Sequence, residues 1–141
     1  MAVTTDSGVP TWNFTIKQSA DWSPSLAWTN DNGSPVNLSG CSMKLMIKAY
    51  ATSAVSILTL SSAATSGSRI VLGGTTGIYT LVFAHADTAG LPVSGAPALN
   101  LLQSGLPAVA LGVYDLQFID ANGDVGYLFK GNVSIEPSVT E

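Results

Sequence analysis

Reactive chemistry is nearly missing from this chain. It has one histidine, one cysteine and two glutamates, Glu136 and Glu141, and only 10% of its residues are charged. The lone Cys41 excludes an intrachain disulfide and carries no redox-compartment signal. Both glutamates lie at the C-terminal end, so no carboxylate pair for glycosidase chemistry can be picked out. The five cations, Lys17, Lys44, Lys48, Arg69 and Lys130, are scattered, and the net charge is -4. Phosphate binding needs clustered cations, so no nucleic-acid partner is expected. No apolar run approaches a membrane span, and no membrane partner is expected. The start, MAVTTDSGVP, lacks the basic and apolar regions of a secretory signal. The four Asn-x-Ser/Thr triplets at Asn13, Asn32, Asn37 and Asn132 are therefore read as chance in a Ser/Thr-rich chain.

What is present is β-structure. Hydrophobic residues make up 46% of 141 residues, enough for one domain with a real core. Trp12, Phe14 and Ile16 alternate, as a half-buried strand requires. Leu26-Ala27-Trp28 forms a second strand, and Asp31-Asn32-Gly33 supplies a tight turn. Pro35 to Leu38 follows, broken by Gly40. Cys41, Met43, Leu45 and Ile47 share one face of the next strand, with Lys44 and Lys48 on the wet face. Val55–Leu60, Arg69–Leu72 and Gly77–Phe83 are further strands, and Gly73-Gly74 ends the second of these. Residues 84–90 break the pattern and predict one helical turn, stopped by Gly90 and Pro92. Val109–Ile119 and Val125–Ile135 flank a hairpin turn at Asp120–Asp124, and Gly131 predicts a bulge or bend. About eight short strands joined by turns predict a single antiparallel β-sandwich, immunoglobulin-like or jelly-roll-like. The predicted division is a flexible arm over 1–10, a sandwich over 11–136 with a long loop at 91–108, and a tail over 137–141.

Each candidate site has a plain structural alternative. Cys41 and His85 could in principle form a nucleophile–base pair, but Cys41 is expected on an apolar strand face and a third, orienting group cannot be assigned from the sequence. Asp120, Asn122 and Asp124 alternate like the start of a calcium loop. The glycine is misplaced at 123 and no carboxylate closes the site, so a turn is expected instead. Gly73 to Gly77 lacks the lysine and helix of a phosphate loop. Catalytic residues, cofactor and metal are therefore all expected to be none, and the chain is read as a non-enzyme. Two candidate interfaces stand out. Trp22 lies in a break between strands and suits either a partner surface or the edge of the core. Leu99, Leu101, Leu102 and Leu106 are too apolar for a free loop, so they cover an open sandwich edge or dock a neighbour.

The order of pieces is itself informative. A Trp-x-Phe-x-Ile strand precedes Pro35-Val36-Asn37-Leu38-Ser39-Gly40. Asp87-Thr88-Ala89-Gly90-Leu91-Pro92 follows the strand ending at Phe83. Val113-Tyr114-Asp115-Leu116, then Leu128 to Ile135, then Pro137-x-Val139-Thr140, close the chain. Over most of 12–140 this resembles a family of small β-sandwich virion proteins of tailed bacteriophages, similar to the N-terminal domain of phage baseplate upper proteins. The family passes almost directly from its Leu-Pro element to Tyr-Asp-Leu, so Val93 to Gly112 reads as an insertion. The resemblance supplies no catalytic residues. It implies a structural protein of the phage particle, made in the bacterial host cytoplasm. The expected role is a tail or baseplate adaptor that connects fibre or spike components. The expected partners are tail, baseplate, fibre or capsid subunits, with the chain forming a symmetric homo-oligomer in the virion. Two alternatives are a capsid decoration protein and a carbohydrate-binding module using Trp22 and Tyr50.

Overall fold

The structure, a computed structural model, describes residues 9–93 and 109–138. Eight strands alternate along it with few helical residues: β1 (Phe14–Lys17), β2 (Ser25–Ala27), β3 (Ser42–Lys48), β4 (Leu58–Ser61), β5 (Arg69–Leu72), β6 (Ile78–Val82), β7 (Val109–Ile119) and β8 (Val125–Glu136). The helical elements are a 3-10 turn at Gly74–Thr76 and one α-turn, α1 (His85–Thr88). The strands form a five-stranded sheet, β1-β8-β7-β3-β4, and a three-stranded sheet, β2-β6-β5. This all-β sandwich follows the immunoglobulin pattern and not that of the jelly roll. The smaller sheet takes the place of strands B, E and D, and β8-β7-β3-β4 that of G, F, C and C′.

Alternation builds the core. Met43, Leu45 and Ile47 of β3 are buried while Lys44 faces out. Leu45 pairs with Leu60 on one side and Leu116 on the other, and all three are shut off from water. Tyr79 and Leu81 of β6 and Ile70 of β5 face them from the smaller sheet. Leu38 adds a fully buried side chain from outside any strand.

At one end of the sandwich the core becomes aromatic. Phe14 lies 4.8 Å from Tyr114, 5.7 Å from Phe83 and 5.5 Å from Trp22, centroid to centroid. Trp12 joins Phe14 at 5.1 Å and Phe129 at 5.9 Å. The Tyr114 hydroxyl donates to the Trp12 carbonyl at 2.5 Å, so the incoming chain is pinned to the middle of β7. Burial pushes the Tyr114 phenol well above its ordinary value and raises that of Tyr79 to about 12.

Several expectations need correcting. The sandwich is not wholly antiparallel, because β1 runs parallel to β8, from Phe14 opposite Val133 to Lys17 opposite Glu136. A period of two is the same in either direction, so the pattern cannot reveal this. Gly131 is not a bulge. It pairs in register with Tyr114, and the irregularities lie where Leu111 and Leu128 are the extra residues. A Cβ on Gly131 would come within 2.4 Å of the Trp12 carbonyl, so the glycine admits the crossing chain. The predicted strand at Val55–Leu60 begins only at Leu58, and Val55 is exposed in the preceding turn. Cys41 precedes β3 and is half-buried.

Candidate functional site

The two outer faces of the sandwich differ in chemistry. On the five-stranded sheet, strand pairing places Met46, Asp115 and Lys130 in one row across β3, β7 and β8. Lys48, Val113 and Asn132 form the next row. Pairing also brings Lys44 beside Gln117. Lys44, Lys48 and Lys130 are three of the chain's five cations, so this sheet concentrates positive charge in an acidic protein. Thr11 and Asn13 arrive alongside because the chain bridges Lys130 before β1 begins. Together these rows wall a groove of about 650 Å³.

Among the described residues, the groove presents two hydrogen-bonding groups that no bond engages, the Asp115 carboxylate and the Asn132 side-chain amide. The Asp115 carboxylate accepts no hydrogen bond among the described residues. Partial burial pushes its pKa up, and the Lys48 ammonium nearby pulls it down by less. Tyr50, 61% exposed, stands at the rim. Asn13 is partly committed, since its Oδ1 accepts the Asn132 amide at 2.8 Å.

The outer face of the three-stranded sheet is almost chargeless. Ser25, Thr80 and Val71 form one row and Ala27 pairs with Ile78. Val71 is 45% exposed and Ile78 44%. The Ser25 and Thr80 hydroxyls bond each other at 2.8 Å, which ties up the polar groups of that row. Only Arg69, opposite Val82, brings charge.

The reactive pair named from sequence is split. Cys41 precedes Ser42, which pairs with Ile119 beside the Asp120–Asp124 turn. His85 lies at the other end, where Gln18 reaches the Ala89 carbonyl. There His85 donates its backbone N–H to Asp21 Oδ1 at 2.7 Å, and its Nδ1 lies 3.0 Å from the same oxygen. Asp21 is held below its usual value first by that backbone bond and then by the ring. Asp87 accepts bonds from the Ser68 backbone and hydroxyl, and the fully buried Thr88 bonds the Ala20 carbonyl at 3.0 Å. These carboxylates fasten the corner.

Asp120 Oδ1 accepts the amides of Asn122 and Asp124, both at 2.9 Å, and Gly123 takes a φ of 89°. Among the described residues no group of three or more His, Cys, Asp or Glu could hold a metal. None of the described helices is long and apolar enough to cross a membrane. Trp22 is half-buried, stacked on Phe83 at 5.3 Å and 22°, and its backbone bridges Phe83. Leu99, Leu101, Leu102 and Leu106 lie outside the described residues, as does the arm before Val9.

Sequence reading placed Lys44 and Lys48 on a wet face but missed the groove. Its members are far apart in the chain, and only strand register assembles them. No family model matches the chain, and no curated protein matches it either.

Proposed function

We propose that this chain is a non-enzymatic structural module of a tailed-phage particle, a tail or baseplate adaptor that works by binding neighbouring subunits. The observation that carries the binding role is the outer face of the three-stranded sheet. Val71 and Ile78 are each more than two-fifths exposed on a face with one charge at its end. Exposed apolar side chains on a face with little charge suit contact with a partner. A rigid sandwich repeated by symmetry offers the same patch at each step of a ring. The placement in a phage tail rests on the sequence resemblance.

Gold-labelled antibody against this protein, viewed on purified phage particles by electron microscopy, tests the reading. Label at the tail or its tip is expected. Label spread over the head makes the protein a decoration subunit, and unlabelled particles overturn the virion role.

A further inference from the structure

We infer that the groove on the outer face of the five-stranded sheet is a saccharide-binding site, taking one or two sugar units across the rows from Lys48 to Lys130. The volume of about 650 Å³ lies within the range of small-ligand clefts, about 300–1,000 Å³.

The chemistry selects the ligand class. Asp115 can only accept hydrogen bonds when ionised, whereas Lys48 and Lys130 can only donate. The Asn132 side-chain amide does both, and no hydrogen bond within the described residues engages it. Such a mixture suits hydroxyl groups, each of which donates and accepts. Asp115 shares its row with Lys130 and adjoins the Lys48 row, and a phosphate or carboxylate ligand has no proton to donate to it, whereas a sugar hydroxyl does. Met46 and Val113 give an apolar floor for the C–H face of a sugar ring. Tyr50 supplies an exposed aromatic ring at the rim, with one apolar face and one polar tip. Trp22 takes no part, because it is stacked on Phe83 in the aromatic end of the core.

The test is a titration of the isotope-labelled full chain with maltose, N,N′-diacetylchitobiose, lactose and glucuronate, read from backbone amide shifts. Saturable millimolar binding of at least one sugar is expected, with shifts confined to residues 11–13, 46–51, 113–115 and 130–132. Asp115→Asn, which removes a charge-assisted hydrogen bond, and Tyr50→Ala, which removes the rim aromatic ring, should each weaken that binding roughly tenfold. Their spectra should otherwise match the parent. Val71→Asp, on the opposite face, should bind unchanged. No saturable shift with any of the four sugars overturns the inference, as does binding that maps to the Val71 face or survives both groove variants. Particle labelling is independent of this outcome, so the groove and the adaptor role can fail separately.

Discussion

The two outer faces of this sandwich share one interior and diverge outside it. The five-stranded sheet turns out lysines, an aspartate and amides around a groove, with Ile119, Val125 and Tyr127 exposed towards its far end, and the three-stranded sheet turns out Val71, Ile78, Ala27 and paired hydroxyls. Both arise from the same alternation, in which every second residue is committed to the core. The lesson is that the buried half of each strand fixes the fold, while the other half is free to diversify. A face whose Asp115 carboxylate and Asn132 side-chain amide are left unbonded among the described residues suits a small polar ligand. A face whose polar groups are mutually satisfied suits dry contact with protein.

Substitutions can separate the faces from their support. The largest effect belongs to the shared interior. Leu45→Ala removes a fully buried side chain between Leu60 and Leu116 and should cost about 2–5 kcal/mol in chemical denaturation. It weakens both faces together, so a loss confined to one face breaks the comparison.

Next comes Gly112→Ala, whose Cβ would sit 2.1 Å from the Lys48 carbonyl oxygen at the groove's edge. The backbone must shift, at a cost of about 1–3 kcal/mol, and amide shifts should spread over residues 48–51 while the Val71 face stays still. Tyr114→Phe deletes the bond to the Trp12 carbonyl, worth about 1 kcal/mol, and should increase hydrogen exchange in β1 before β5.

Val71→Asp with Ile78→Asp should change monomer stability by only about 0.5 kcal/mol per site, as exposed substitutions do. The pair should nevertheless abolish incorporation into particles, scored by complementation. Normal incorporation would remove the reason for treating the two faces differently.

The smallest effect is in acid. Bonds from His85 lower the pKa of Asp21, so its contribution is complete above the ordinary value near 3.8 and is lost as pH falls through the folded value. Asp115 is shifted the other way, so its charge disfavours the fold, and protonating it as pH falls restores stability. Denaturation midpoints of Asp21→Asn and Asp115→Asn, followed from about pH 5 to pH 3, should therefore diverge from the parent with opposite slopes.

Much of the fold could be read in the chain. The alternation of Met43, Leu45 and Ile47, the Asp-Ala-Asn-Gly turn and the interruption at 84–90 predict β3, the final hairpin and α1, and all three are present. What could not be read was relation between strands. Parallel pairing of β1 and β8 leaves the period unchanged, and Gly131 looks like a bend in one dimension because the chain it admits comes from residue 12. The groove was hidden for the same reason, since Lys48, Asp115 and Asn132 become neighbours only through register. Trp22 carried no signal to separate interface from core edge, because the ring it stacks on, Phe83, is sixty-one residues away and Phe14 reaches it only once β1 is placed in the sheet.

The parallel pairing of β1 with β8 also sets how the domain bears load. The chain enters through β1 and leaves through β8, and the two strands point the same way. Tension between entry and exit therefore drags β1 backward and β8 forward along a common line. The Phe14–Lys17 ladder, with the Lys17 ammonium reaching the Pro137 carbonyl at 3.0 Å, is strained in shear and must give way as a unit. A pull across the β4 or β5 edge would instead peel one bond at a time. The direction in which such a subunit is tethered thus decides how hard it is to pull open.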